Sequence, residues 1–345
     1  MKKIIVFIIC LIPLNVLGYD IPSKSLILMD RDSNRVLLSK NSNDKRLIAS
    51  TTKVMTAILA IEYGKLDDVV LVGDEVLKSY GSNIYINKGE SILLIDLIYG
   101  LMLRSGNDCS LIIAKHIGKT EENFINMMNN KAKELGMRDT TFSNPSGLDD
   151  NTKNISTAHD MAILMSYASK NSTFLEIAST KNYKTESDKK VYVWKNRCEL
   201  LFNYPYLTSC KTGYTPKAGK ILATSASKNN LNLVMIGFDY GYDYEMQKEI
   251  YEDYFRRYKN YKIIDKDKFN IKYNGLTGYI NNDFYYPLNE EEIDRVVTKI
   301  ELNKKVLNNE LGNIYIYLDN EFLHKEIICA KEKENLFSKL FHFFK

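Results

Sequence analysis

The chain has 345 residues, 45% of them hydrophobic and 26% charged, with Lys+Arg 47 against Asp+Glu 43 and a formal net charge of +4. That is an ordinary globular composition, long enough for two domains and for a core that needs no disulfide or metal staple. So even a charge balance argues against a nucleic-acid partner, which would call for a concentrated basic stripe.

Lys2 and Lys3 precede an apolar stretch from Ile4 to Leu17, broken only by Pro13 and Asn15. Val16 and Gly18 are the small residues that precede a signal-peptidase cut, so residues 1–18 read as a signal peptide cleaved after Gly18. The stretch falls short of the roughly 20 apolar residues that cross a bilayer. Export permits disulfides among Cys109, Cys198, Cys210 and Cys329, but their spacing assigns no pairing. No CxxC or HExxH pattern occurs, and the four histidines are scattered, so no metal or cofactor is indicated.

Two short apolar runs, Ser25 to Met29 and Val36 to Ser39, flank Asp30–Arg35, which reads as a hairpin turn. A helix follows from about Ser50 to Tyr63, apolar nearly all round and therefore buried. Further helices are expected at about Ile92–Leu103, Asp108–Ile117, Glu121–Leu135 and Thr157–Ala168. Lys220–Ala226 and Leu231–Phe238 read as neighbouring strands, and Glu245–Tyr258 as another helix. The composition turns basic and aromatic at Arg256–Lys262, which marks a boundary. Beyond it, Ile314, Ile316 and Leu318 alternate with Tyr315 and Tyr317, and Val296, Thr298, Ile300 and Leu302 share one face. Asn281-Asn282 between Thr277–Ile280 and Phe284–Tyr286 reads as a hairpin. Residues 263–330 are thus expected to form a small all-β domain. At the end, Leu336, Phe337, Leu340, Phe341 and Phe344 make one apolar stripe flanked by Lys333, Lys339 and Lys345. Such a helix, residues 331–345, suits a membrane surface.

Three short patterns carry chemistry. In Ser50-Thr51-Thr52-Lys53, residues three apart share a helix face, so a lysine amine can take the proton of a serine hydroxyl if the lysine is neutral. S-x-x-K also occurs at Ser42, Ser187 and Ser225, but only Ser50 opens a strongly apolar helix. Ser105-Gly106-Asn107 sits in a tight turn between two apolar helices, where a hydroxyl and an amide can relay a proton and hold a substrate amide. S-x-N recurs at Ser39, Ser169 and Ser227, and Ser and Asn are also ordinary helix caps. Lys211-Thr212-Gly213 occurs once. Gly213 would let another backbone approach a strand, and Lys211 would supply positive charge for a carboxylate.

In this order the trio is the signature of penicillin-binding proteins and class A β-lactamases. Leu47–Ala57, Ser105-Gly106-Asn107-Asp108 and Lys211-Thr212-Gly213-Tyr214-Thr215 with Ala218-Gly219 resemble the low-molecular-mass penicillin-binding D-Ala-D-Ala carboxypeptidases. So do Phe142–Leu148 and Ser156–Ala162, and the resemblance spans about residues 20–258. It implies an α/β (α+β) penicillin-binding/β-lactamase-like transpeptidase fold at 19–258, an antiparallel sheet flanked by helices, with the β-rich domain at 263–330 after it. It implies Ser50 as the acylated nucleophile, Lys53 as its base, Ser105 as proton relay and Asn107 as an orienting group. Lys211 and Thr212 would bind the terminal carboxylate, and the N–H groups of Ser50 and Tyr214 would form the oxyanion hole. The implied partners are peptidoglycan pentapeptide stems, β-lactam antibiotics as covalent inhibitors, and the outer face of the membrane. Two departures stand out: no arginine in Gly241–Glu245, and a lysine at 220 where relatives often carry a small or neutral residue. The rival readings are a class A β-lactamase and a non-catalytic wall-binding scaffold. The first would need a deacylating glutamate, which Thr140–Asp150 lacks, and the second a lost Ser50, Lys53 or Lys211.

Overall fold

The computed structural model describes residues 22–241 and 244–330; the expected leader at 1–18 and the amphipathic helix at 331–345 lie outside them, as do Tyr242 and Asp243.

Ser25–Asp30 is buried at every position, and Leu231–Phe238 at all but one. Strands that are apolar without alternation are covered on both faces. They are the heart of a five-stranded antiparallel sheet in the order Val36–Lys40, Ser25–Asp30, Leu231–Phe238, Gly219–Lys228, Leu207–Thr215. Successive side chains point to opposite faces, so Ile27 and Met29 enter one core while Leu26 and Leu28 enter another. The larger core is closed by helices Lys53–Tyr63, Leu94–Arg104, Asn107–Gly118, Glu121–Glu134, Ala158–Ala168 and Ser172–Ser179. Helix Tyr244–Arg257 closes the other face through Ile250, Tyr251 and Tyr254. The expected hairpin at Asp30–Arg35 is present: the Asp30 N–H donates to the Arg35 carbonyl at 2.8 Å, and the Asp30 carboxylate accepts from Ser33.

Cys198 and Cys210 form a disulfide, and Cys109 is a buried free thiol. The bridge ties the segment after the strand pair Asn182–Glu186 and Val191–Lys195 to the edge strand Leu207–Thr215.

Among the described residues from Lys259 to Ala330, the regular elements are strands but for one short 3-10 turn, Ile293–Arg295. A second five-stranded sheet runs Ile271–Tyr273, Leu276–Tyr279, Glu321–Ala330, Glu310–Leu318, Val296–Leu307. Ile314 and Ile316 are buried in its core, as their alternation implies. Ile300 pairs with Ile314 but stays 43% exposed, because its strand is the outermost of the sheet. The hairpin expected at Asn281-Asn282 does not form. Leu276–Tyr279 pairs with Ile271–Tyr273 and Glu321–Ala330, whereas Phe284–Leu288 pairs with Lys259–Ile264. The two asparagines therefore carry the chain from one sheet to another, a tertiary choice that turn chemistry alone does not encode.

Candidate active site

The segment before the first helix holds its serine under strain. Ala49 has φ +43°, a left-handed value costly for a residue with a side chain. Residues Ala49–Thr52 form a 3-10 turn, and the α-helix begins only at Lys53. At about three residues per turn, positions i and i+3 stack. Lys53 Nζ accordingly lies 3.0 Å from Ser50 Oγ. Two glycines let neighbouring backbone close on this turn. A Cβ on Gly147 would stand 1.8 Å from the Ala49 carbonyl oxygen, and one on Gly213 would stand 3.3 Å from the Ser50 nitrogen.

Lys53 is fully buried. Its Nζ also lies 2.7 Å from Asn107 Oδ1 and 2.5 Å from the Ser146 carbonyl oxygen. A neutral amine has two hydrogens and one lone pair. The hydrogens suit those two acceptors, leaving the lone pair for the Ser50 hydroxyl. Loss of solvation lowers the Lys53 pKa to about 7, against the opposing pull of nearby Cys109 and Asp108.

Ser105 ends helix Leu94–Arg104 in the left-handed conformation, φ +61°, and Asn107 opens the next helix. The Asn107 Nδ2 donates to the Tyr80 carbonyl at 2.7 Å, and its N–H to the Ser82 carbonyl at 2.7 Å. The Asp108 carboxylate accepts the N–H groups of Ile84 and Tyr85, fixing the 80–86 loop beside the site. From the edge strand, Lys211 Nζ donates to Ser105 Oγ at 3.1 Å and to the Thr212 carbonyl at 2.6 Å. Burial pushes the Lys211 ammonium well below the usual lysine range, and the charges of Lys53 and Arg197 push it further.

The eight residues singled out in the sequence thus converge. Lys53, Asn107 and Lys211 form the buried floor, and Ser50, Ser105, Thr212, Gly213 and Tyr214 line an open cleft of about 620 Å³. Three further participants were not legible in the motifs. Ser146 supplies the carbonyl that holds Lys53. Ser82 and Arg197 face the cleft together, with Arg197 Nη1 donating to Ser82 Oγ at 2.9 Å. The signal for Arg197 lies in the disulfide: Cys198 follows it and Cys210 precedes Lys211, so the bridge brings the two cations to one site. Among the described residues, no cluster of three or more His, Cys, Asp or Glu could hold a metal.

The family model described as D-alanyl-D-alanine carboxypeptidase matches residues 14–240. The chain is 30% identical over 333 residues to the D-alanyl-D-alanine carboxypeptidase DacF of Bacillus subtilis, covering 90% of this chain and 85% of that protein. Among solved structures, penicillin binding protein 5 of Haemophilus influenzae superimposes with a TM-score of 0.76 at 23% identity, over 92% of this chain and 98% of that one. A D-alanyl-D-alanine carboxypeptidase from Mycobacterium tuberculosis gives a TM-score of 0.61 at 31% identity, over 64% and 83%.

Proposed function

The chain belongs to the D-alanyl-D-alanine carboxypeptidase family of serine peptidases, and from that premise we propose that it removes the terminal D-alanine of peptidoglycan stem peptides through an acyl-enzyme on Ser50. The observation that carries this reading is the coordination of Lys53: buried, near neutrality, and 3.0 Å from the serine hydroxyl.

Lys53 takes the Ser50 proton as Oγ attacks the carbonyl of the penultimate D-alanine. The developing oxyanion is met by the N–H groups of Ser50 and Tyr214, an interaction worth about 3 kcal/mol per donor. Ser105, bonded to Lys211, passes a proton to the departing amine, and Asn107 orients the substrate while holding Lys53. Water then attacks the ester with Lys53 again as base, releasing the shortened stem. β-Lactams, whose ring carbonyl meets the same serine, act as covalent inhibitors. The substrate lies along the edge of Leu207–Thr215, which among the described residues has one strand neighbour in its sheet. We place the catalytic domain at 19–258 on the outer side of the cytoplasmic membrane, with the β-rich part at 263–330 as a stalk and residues 331–345 at the lipid surface.

Mass spectrometry of the protein after incubation with benzylpenicillin tests the reading, alongside D-alanine release from a stem peptide. A stable penicilloyl adduct on the peptide containing Ser50 is expected. Drug consumed rapidly without an adduct would favour a β-lactamase. A Ser50→Ala protein that still released D-alanine at the parent rate would remove the nucleophile from the scheme.

A further inference from the structure

We propose that Lys220 is a substrate-binding residue of this site, its ammonium holding the free terminal carboxylate of the peptide together with the Thr212 hydroxyl. The inference rests on the carboxypeptidase reading and adds to it the group that supplies the charge.

The geometry comes from strand register. Lys220 pairs with Tyr214 and Leu222 with Thr212 across the two strands nearest the cleft. Cross-strand partners emerge on one face, as do residues two apart. Lys220, Tyr214 and Thr212 therefore leave the same face of the ribbon, with Lys220 diagonal to Thr212. Diagonal neighbours lie about 7–8 Å apart, a gap that a lysine stem and a carboxylate span together. All three residues line the cleft that also holds Ser50. The backbone at this point is fixed on both sides: Gly219 has φ +75°, and the Tyr240 N–H donates to the Lys220 carbonyl at 3.0 Å.

Charge narrows the choice of residue. A carboxylate entering the cleft meets three cationic side chains besides Lys53. Lys211 is 1% exposed, faces the opposite side of the strand, and already donates to Ser105 and Thr212. Burial lowers its pKa, which weakens it as the source of charge for a carboxylate. Arg197 donates to Ser82 Oγ and has Glu199 two residues on, also lining the cleft. Lys220 is exposed to the cleft and lies on the Thr212 side.

Steady-state D-alanine release from diacetyl-L-Lys-D-Ala-D-Ala, with acylation rates for benzylpenicillin and for its methyl ester, tests this in Lys220→Ala and Lys220→Arg proteins. A hydrogen bond to a charged group corresponds to about 10- to 100-fold in affinity. Lys220→Ala should raise KM about tenfold or more with kcat within roughly threefold. It should lower the acid-to-ester ratio of acylation rates by the same factor, and Lys220→Arg should recover most of both. An unchanged KM and ratio in Lys220→Ala overturns the proposal, as does an equal loss with acid and ester. If the parent protein neither releases D-alanine nor is acylated, the carboxypeptidase reading falls and takes this one with it. An active parent beside an unaffected Lys220→Ala removes Lys220 alone.

Discussion

Lys53 and Lys211 place two amines in one water-poor network, each bonded to a serine of the site. Two full charges there would repel each other as well as forgo hydration, so the site favours a neutral base. With the Lys53 pKa lowered to about 7, the amine is protonated below that pH and able to take the Ser50 proton above it. The rate of acylation by a fluorescent penicillin should therefore rise as the pH climbs through about 7 and level off beyond; a flat profile from pH 5 to 9 would contradict this. The groups around Lys53 that enter this balance are Ser50, Asn107, Ser146, Asp108, Cys109, Arg197 and Lys211. A second prediction concerns Gly147, whose φ is +88° and whose added Cβ would collide with the Ala49 carbonyl. Gly147→Ala must displace the turn bearing Ser50, so acylation should slow by about 100-fold, the cost of misplacing a reacting group by roughly an ångström. A Gly147→Ala protein acylated at the parent rate would show that the contact does not position the serine. Ser50 and Lys53 were legible because only one of four S-x-x-K patterns opens an apolar helix. Ser146 was not, because its contribution is a backbone carbonyl, which every residue possesses.

At the scale of elements, the disulfide joins two segments that each present a cation to the cleft. It closes a loop with a sequence separation of 12, containing the helical turn Leu200–Asn203. Cross-linking a loop of this size restricts the unfolded chain by about 3 kcal/mol. Replacing both Cys198 and Cys210 by serine should lower the Tm by roughly 5–10 °C, and should raise KM for the peptide by freeing the segment that carries Arg197. A Tm shift without any change in KM would make the bridge a purely structural tie. Most helices of the larger core were readable from their apolar runs, but Thr157, expected as a helical residue, is instead the cap of its helix, its side chain accepting the Asp160 N–H. The 3-10 turn at Ala49 was not, since a helix pattern does not show where the first turn tightens. The Asn281-Asn282 segment misled for a related reason: a tight-turn dipeptide reports that the chain bends, while the strand it joins next is chosen by packing at a distance.

Across the whole molecule, Arg35 connects the tip of the first hairpin to the later sheets. Its guanidinium forks onto the Glu292 carboxylate, also donates to the Pro287 carbonyl, and lies over the rings of Tyr258 and Tyr286 at 5.5 and 5.1 Å. The pair is mostly shielded, with 14% and 10% of the side chains exposed. Arg35→Ala leaves a carboxylate without its cation and should cost about 2 kcal/mol, below the penalty for a fully buried pair. Calorimetry should show the transition broadening or splitting while penicillin acylation of Ser50 stays at the parent rate; a single unshifted transition would mean that the two parts are held by other contacts. The change of composition near Arg256 made two parts visible in the sequence. The arginine that joins them was invisible, because nothing local distinguishes it from any other hairpin residue. The free edge of Leu207–Thr215 also bears on how these molecules treat one another. A strand edge with no neighbour is a template for any extended chain, including the same strand of another copy. Pro216 ends its run of donors and the exposed Lys217 follows at once, so two such edges would bring like charges together at that end. Resistance to self-association and access for a small anionic peptide are two outcomes of one distribution of charge.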